Sequence, residues 1–339
     1  MTTHGPEWRL IRSGSGDGYE NMAVDEALML CVARGDAPPT LRLYGWRPPG
    51  VSLGYFQEVE GQIDVAECKR RGYTVVRRPT GGRAILHDDE VTYSVAVRQQ
   101  DLPGGERLLA SYREISRGVE EGLRTIGVAA AMAKGSAQWS VGSGQQRRTP
   151  DERGRRGGAS PPYSDVQAGR GAPAACFAKA ARSDMTVDGR KIVGSAQVRR
   201  HGAILQHGSI PLRVNMGDVA AVIGAGDARP DTPRALRLGI PTRAGSGQAV
   251  APTHRSAREA LEGAVVSVSD AAGRDVTFEE MCEALVAGFE EGLGIRLVPG
   301  ELTQEEAALA QRLREAKYGT DEWNMQRSGR GESATPPVH

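Results

Sequence analysis

The sequence predicts an α+β fold in which a mixed sheet packs against helices. Segments typical of strands are interspersed with segments whose apolar residues recur at helical spacing. Some strands are joined by short turns, as at Asp188-Gly189 between Met185–Val187 and the strand that begins at Arg190. The regular strand–helix–strand repeats that indicate a parallel sheet are not found. We therefore predict a single domain over 1–330 and a disordered tail over 331–339.

The N-terminal part of the chain supplies most of the predicted sheet. A strand is predicted at Trp8–Arg12 and a helix at Tyr19–Arg34, which ends at Gly35 because glycine accepts the left-handed conformation there. A short helix is predicted at Val65–Arg71 and ends at Gly72. Four further strands are predicted: Leu41–Tyr44, Val51–Tyr55, Tyr73–Arg78 and Glu90–Val97.

The C-terminal part continues with helices and strands in mixed order. Leu108–Ile126 and Thr277–Gly292 have the apolar spacing of amphipathic helices. Thr303 is predicted to cap the last helix, because Glu305 and Glu306 follow it at the positive end of the helix dipole. Shorter patterns predict strands at Val128–Ala133 and His201–Leu212 and helices at Val214–Ile223 and Ala257–Glu262.

Two segments interrupt these patterns. Residues 135–175 are rich in glycine, arginine, serine, glutamine and proline, and residues 224–256 are rich in glycine, alanine, proline and arginine. Such segments bury too little apolar surface to offset the entropy lost on ordering. We predict that both are disordered insertions in loops.

Charge and hydropathy exclude several classes of protein. Lys plus Arg number 43 and Asp plus Glu 42, so a charge of +1 argues against bulk electrostatic binding to nucleic acid or membranes. No stretch approaches the roughly 18 apolar residues that span a bilayer. The N-terminus lacks the charged and then apolar layout of a signal peptide. These observations predict a cytoplasmic protein.

The cysteines are widely spaced, at Cys31, Cys68, Cys176 and Cys282. This spacing indicates neither a disulfide framework nor a metal site. Cys31 and Cys282 lie on apolar helix faces, and Cys68 lies on a short helix that is expected at the surface of the protein. Cys176 lies fifteen positions before Lys191. A thiol and an amine that meet at one site are a nucleophile and a group that can activate it.

The sequence also offers a possible anion-binding loop and two histidines. Thr80–Arg83, here called the glycine loop, directly follows a predicted strand, and its adjacent glycines allow a ligand to approach the backbone. Gly-Gly alone is more often a plain turn, but Arg77 and Arg78 beside it, with Arg83, favour an anion-facing loop. His87 lies beside two acids on a turn, and His207 is as compatible with a buried core position as with a pocket.

Five collinear segments resemble the lipoate/biotin protein ligase and octanoyltransferase superfamily, and its LipM-type octanoyltransferase branch in particular. They are YGWRPPGVSLGYFQ, RRPTGGRAILHDDEVTYSV, ACF, DGRKIVGSAQ with ILQHGSI, and AKYGTDEWNMQR. The resemblance covers nearly the whole chain outside the two insertions. The chain departs from the family pattern over Ala178–Arg182, which lacks the usual aromatic, proline-containing run.

The resemblance implies a mainly antiparallel sheet, as in biotin/lipoate ligase catalytic domains, with the acyl group under the glycine loop. It implies Cys176 as catalytic nucleophile and Lys191 as its partner, with neither metal nor cofactor. Lining for the acyl chain is expected from Val91, Val193 and Ile204. Substrate contacts are predicted at Arg78, Gly81, Gly82, Arg83, His87, Gly194, Ser195, Ala196, His207 and Gly208.

The implied activity is transfer of an octanoyl group from acyl carrier protein to a lysine of a lipoyl-carrier domain. That acceptor is the glycine-cleavage H protein or a dehydrogenase E2 subunit. The family leaves three alternatives: an ATP-dependent lipoate ligase, an amidotransferase between carrier proteins, and a non-catalytic binder of acylated carriers. Cys176, and Arg83 at the place of a third glycine, argue against the ligase. The amidotransferase uses the same chemistry and stays open.

Overall fold

The main sheet of the computed structural model contains eight strands. The model describes residues 5–133, 184–223 and 263–326. The strands in chain order are β1 (Glu7–Gly16), β2 (Thr40–Trp46), β3 (Gly50–Leu53), β4 (Thr74–Arg77), β5 (Ile85–His87), β6 (Glu90–Arg98), β7 (Ala131–Met132), β8 (Met185–Val187), β9 (Arg190–Arg200), β10 (Ala203–Pro211) and β11 (Arg296–Pro299). The order in the main sheet is β11-β1-β2-β6-β10-β9-β8-β7. β1 pairs in parallel with β11 and β2, and the other pairs are antiparallel, which confirms the predicted mixed sheet.

A second, three-stranded sheet carries the glycine loop. Its order is β4-β3-β5, with β3 parallel to β4 and antiparallel to β5. The glycine loop joins β4 to β5. Because the hydroxyl of Thr80 in this loop contacts His207 of β10, the small sheet is held against one face of the main sheet.

Helices lie on both faces of the main sheet and against the small sheet. They are α1 (Gly18–Arg34), α2 (Val65–Arg70), α3 (Leu108–Thr125), α4 (Met216–Val222), α5 (Val268–Ala272), α6 (Phe278–Leu293), α7 (Gln304–Leu313) and α8 (Asp321–Met325), with a π-helical turn at Arg314–Tyr318. The helices α3 and α6 pack together over one face, where Tyr93 of β6 meets Phe289 of α6. The opposite face packs against α1 and α7.

Helix α1 is buried on all sides. Every residue from Asn21 to Val32 is buried, including Asp25 and Glu26. The side chain of Asp17 caps its first turn, and Gly35 ends it at φ 82°, in the left-handed region that glycine adopts without strain. A helix buried in this way brings its carboxylates into the interior, where they need partners.

The structure also corrects several predictions about secondary structure. Only Ala131–Met132 of the segment predicted at Val128–Ala133 is a strand. His201 and Gly202 form a turn, with β10 beginning at Ala203. Cys68, on the short helix that was expected at the surface, is fully buried. The elements β5, β11, α5 and α8 are three to five residues long, too short for a periodic pattern to reveal.

Several predictions lie outside the described residues: the insertions 135–175 and 224–256, the helix at Ala257–Glu262 and the tail 331–339. Within the described ranges, no helix combines the length and apolar character that a membrane crossing requires.

Candidate active site

The glycine loop is shaped by Arg78. The guanidinium of Arg78 donates to the carbonyl oxygens of Gly81 and Arg83 at 2.8 Å each, and to the Ser52 carbonyl at 3.1 Å. Gly82 has φ 100°, and a Cβ there would lie 2.6 Å from Arg78 Nη2. Both the positive φ and the closeness of Arg78 therefore require a glycine at position 82. A Cβ on Gly81, in contrast, would meet nothing within 4 Å.

Both arginines that precede this loop donate to backbone carbonyl oxygens. Arg78 is buried, and the bonds described above hold the loop carbonyls rather than an anion. Arg77 is also buried and donates to backbone carbonyls, including those of Trp323 and Asn324 in the C-terminal segment. Both guanidinium groups therefore support the backbone, and the anion-facing role of this pair stays a prediction. Arg83 is half-buried.

A chain of hydrogen bonds connects the glycine loop to the centre of the molecule. Thr80 Oγ1 lies 2.7 Å from His207 Nε2, and His207 Nδ1 lies 3.0 Å from Asp25 Oδ2. Asp25 also accepts from Arg42 at 2.8 Å and Ser94 at 2.8 Å. All of these side chains are buried. His207 therefore contacts the loop rather than facing an open pocket.

The charge states in this chain follow from burial and hydrogen bonding. Burial raises the pKa of Asp25, but the bond from His207 and the charge of Arg42 outweigh it, so the pKa is below its usual value. Burial lowers the pKa of His207, and Asp25 offsets only part of that effect. The site thus contains an ionised carboxylate beside a neutral imidazole at neutral pH.

Lys191 is fully buried next to a carboxylate that was not predicted. Its Nζ lies 2.9 Å from Asp184 Oδ1, and both side chains are almost completely inaccessible. A Cβ on Gly194 would lie 2.9 Å from Lys191 Nζ and 4.0 Å from Ile85 Cδ1. Gly194 therefore leaves room for the ammonium group, and Ile85 brings the strand after the glycine loop close to it.

The register of β9 against β10 decides which predicted residues share this site. Ser209 pairs with Gly194 and His207 pairs with Ala196, so Gly194 and Ala196 lie on the same face as His207. Ser195 is directed to the other face, where its Oγ lies 2.9 Å from Tyr93 Oη.

Gly208 also belongs to that other face. A Cβ on Gly208 would lie 2.5 Å from the Oγ of Ser195. Because alternate residues of a strand point to opposite faces, Ser195 and Gly208 lie on the face opposite to His207, and their predicted substrate contacts stay predictions.

The same alternation corrects the predicted lining of the acyl site. Val91, Val193 and Ile204 are buried in the core under α3 and α6, on the face away from His207. The structure places Ile85 beside Lys191 instead.

His87 has structural partners on both ring nitrogens. Its Nε2 lies 2.7 Å from Ser52 Oγ and its Nδ1 lies 2.8 Å from Glu90 Oε1. The ring stacks on Trp46 with centroids 3.9 Å apart. His87 thus holds the small sheet against the main sheet, and its predicted contact with the substrate stays a prediction.

Cys176 lies outside the described residues, so its distance from Lys191 is not part of the structure. Asp25 and Asp184 were missed by sequence reasoning. Asp25 follows apolar residues in α1, and an acid in a helix normally faces solvent. Asp184 directly precedes the strand–turn–strand segment that contains Lys191, and that adjacency is the signal that could have revealed it.

Comparisons with known proteins show the family to which the chain belongs. The sequence model of a family described as the lipoyl protein ligase A/B catalytic domain matches residues 17–239. Similar proteins include octanoyltransferase LipM of Symbiobacterium thermophilum, 41% identical over 94% of this chain and 98% of that protein. Octanoyltransferase LipM of Kyrpidia tusciae is 42% identical over 94% of this chain and 99% of its own length.

Among solved structures, a lipoate protein ligase of T. acidophilum with bound lipoic acid is similar. The TM-score is 0.66 at 26% sequence identity, covering 94% of this chain and 98% of that one.

Proposed function

The chain belongs to the lipoyl protein ligase A/B catalytic-domain family, and we propose that it is an octanoyltransferase that uses Cys176 as its nucleophile. Its donor is octanoyl-acyl carrier protein, and its acceptor is a lysine of a lipoyl-carrier domain such as the glycine-cleavage H protein. The near full-length similarity to octanoyltransferases supports the octanoyl group and its place in protein lipoylation.

One observation carries the chemical part of the proposal. Lys191, buried and held by Asp184, lies on the face of the main sheet that contacts the glycine loop. An ammonium group at the acyl site favours a nearby thiolate over the thiol. In the proposed mechanism, this cation stabilises the thiolate of Cys176, which is the nucleophile.

The first step transfers the acyl group to the enzyme. The thiolate of Cys176 attacks the thioester carbonyl, and a carbon–sulfur bond to Cys176 forms. The bond to the carrier sulfur breaks, and the carrier thiolate leaves with a proton from Lys191. Backbone N–H groups of the glycine loop stabilise the negative charge that develops on the carbonyl oxygen.

The second step transfers the group to the acceptor. The neutral ε-amine of the acceptor lysine attacks the acyl-enzyme, an amide forms and the thiolate of Cys176 leaves. Lys191 recovers the proton that the attacking amine loses. Because the acyl-enzyme keeps the energy of the donor thioester, and that energy then drives amide formation, no nucleotide is required.

Two other functions are alternatives to this proposal. An ATP-dependent lipoate ligase activates a free acid as an adenylate and has no use for Cys176. An amidotransferase has the same steps but takes its acyl group from another lipoyl-carrier domain. Nothing in the described geometry favours either one over the transferase.

The test compares acyl donors with a fixed acceptor, the apo H protein. Octanoyl-acyl carrier protein without ATP is expected to octanoylate the acceptor lysine, as measured by its intact mass. Free octanoate with ATP and magnesium is the donor that tests the ligase reaction. An octanoylated E2 domain is the donor that tests the amidotransferase reaction. If octanoylated H protein forms only from free octanoate and ATP, the protein is a ligase. If it forms only from the octanoylated E2 domain, the protein is an amidotransferase.

A further inference from the structure

The hydrogen-bonded series Thr80–His207–Asp25 links the glycine loop to helix α1 on one face of the main sheet. Its order resembles the nucleophile, base and acid of hydrolytic triads, in which the imidazole removes a proton from the hydroxyl. Here Thr80 is buried and is the first residue of the glycine loop. The direction of each hydrogen bond decides what this series does.

The direction can be worked out from Asp25. It is ionised, and a carboxylate only accepts hydrogen bonds. The nitrogen of His207 that faces it, Nδ1, must therefore be the donor. Because the imidazole is neutral and has one N–H, Nε2 is left as an acceptor. The Thr80 hydroxyl consequently donates to Nε2, and that nitrogen is unavailable as a base for a substrate.

The glycine loop is thus fixed at three points. The Thr80 side chain is bonded to His207, and Arg78 holds the carbonyl oxygens of Gly81 and Arg83. A trans peptide directs its N–H opposite to its carbonyl. With the Gly81 carbonyl turned to Arg78, the N–H of Gly82 points away from that guanidinium.

We infer that Thr80, His207 and Asp25 are positioning residues, which hold the glycine loop so that its N–H groups face the acyl carbonyl. The inference rests on the proposed function, in which the loop stabilises the oxyanion. Asp25 fixes the tautomer of His207, His207 accepts from Thr80, and Thr80 fixes the loop. None of the three exchanges a proton with the substrate.

Two pairs of variants test the inference. Thr80→Val removes the hydroxyl with little change of shape, whereas Thr80→Ser keeps it. In His207→Gln the amide reaches the position of Nε2, so an acceptor for Thr80 remains. In His207→Asn the amide reaches the position of Nδ1, so the partner of Asp25 remains and the partner of Thr80 is lost. Asp25 keeps three other donors in either case: Arg42, Tyr44 and Ser94.

Two measurements are made on each folded variant. In ATP-free octanoyl transfer, Thr80→Val and His207→Asn are expected to lower kcat at least about 10-fold, since losing one oxyanion donor costs 10²–10³-fold. KM changes little, and Thr80→Ser and His207→Gln stay within about 5-fold of the wild type. Amide hydrogen exchange in residues 80–84 should be faster in the first pair than in the second.

Each outcome decides the inference. Equal loss of kcat in His207→Gln and His207→Asn would overturn it and make His207 a proton acceptor. If kcat of the four variants falls only in proportion to the loss in melting temperature, the inference is wrong and the three residues have only a structural role. If the wild type itself fails to transfer the octanoyl group, the proposed function is wrong. The amide hydrogen exchange rates of residues 80–84 then still show whether Thr80, His207 and Asp25 hold the loop.

Discussion

Lys191 and Asp184 form a buried ion pair, with Nζ and Oδ1 separated by 2.9 Å. Asp184 directly precedes β8, and Lys191 is the second residue of β9, so the turn at Asp188-Gly189 brings the two together. Burying two charges is costly unless they are paired. The hairpin therefore determines where the positive charge of the site is held.

Asp184→Asn is expected to weaken both folding and catalysis. Removing one partner of a buried pair destabilises by about 3 kcal/mol, because the other charge is left without its counter-charge. Octanoyl transfer should fall at least about 10-fold, since Asp184 no longer holds the side chain of Lys191 in its position at the proposed site. Urea unfolding and the transfer rate measure the two effects.

Asp188→Asn is the matched control for that variant. It makes the same chemical change in the exposed turn of the same hairpin, at a φ of 50° that asparagine accepts. Its stability should stay within about 0.5 kcal/mol of the wild type. If Asp184→Asn behaved like Asp188→Asn, the ion pair would have no role.

Lys191→Met is expected to raise the pH at which Cys176 reacts with iodoacetamide, because the thiolate loses a neighbouring positive charge. The reaction rate is followed against pH in the folded protein. Lys69→Met removes an exposed lysine and serves as control. An alkylation profile identical to that of the control would show that Lys191 does not activate the thiol.

The glycine loop offers a paired substitution. Gly82→Ala should destabilise the protein by about 1–3 kcal/mol, because φ 100° is strained for alanine and the Cβ meets Arg78. Gly81→Ala has open space at its Cβ and should fold normally. Thermal unfolding compares the two variants, and equal melting temperatures would contradict the described loop conformation.

The buried histidine predicts a dependence of stability on pH. The unfolded histidine takes up a proton near pH 6.5, whereas burial lowers the pKa of His207 in the folded state. Below about pH 6.5 the unfolded chain therefore binds a proton that the folded chain does not, and the free energy of unfolding falls with falling pH. Above that pH His207 is neutral in both the folded and the unfolded state, and its protonation no longer lowers the free energy of unfolding.

The check uses urea unfolding of the wild type and His207→Gln between about pH 7 and pH 5. The wild type is expected to lose stability more steeply than the variant, by up to 1.36 kcal/mol per pH unit. Other groups close to His207, namely Asp25, Arg78 and His87, remain in both proteins. Parallel curves would mean that His207 is protonated equally in the folded and unfolded states.

Sequence reasoning located the hairpin, the glycine loop and the long helices because each has a local signal. A two-residue turn between strands, adjacent glycines and helical apolar spacing all act within a few residues. The short strand β5 and helix α8 have no such signal. They form because the glycine loop and the C-terminal segment pack on the small sheet, where Trp323 donates to the Arg77 carbonyl.

The roles of individual polar residues were harder to predict. Arg78 and His87 stand in the motif as expected, but their partners come from β3, β6 and the loop itself. Ser195 and Gly194 are neighbours in sequence that face opposite sides of the sheet, and a β-bulge between Met185 and Thr186 shifts the register nearby. Contacts of this kind depend on tertiary pairing, which local patterns do not contain.

The most direct test of the account is the intact mass of the enzyme after mixing with octanoyl-acyl carrier protein in the absence of ATP and magnesium. The account predicts a gain of one octanoyl group, its loss on treatment with hydroxylamine, and no gain in Cys176→Ala. Apo H protein added afterwards should remove the group from the enzyme. A protein that gains no mass, while Cys176→Ala still octanoylates H protein from free octanoate and ATP, would contradict the cysteine acyl-enzyme.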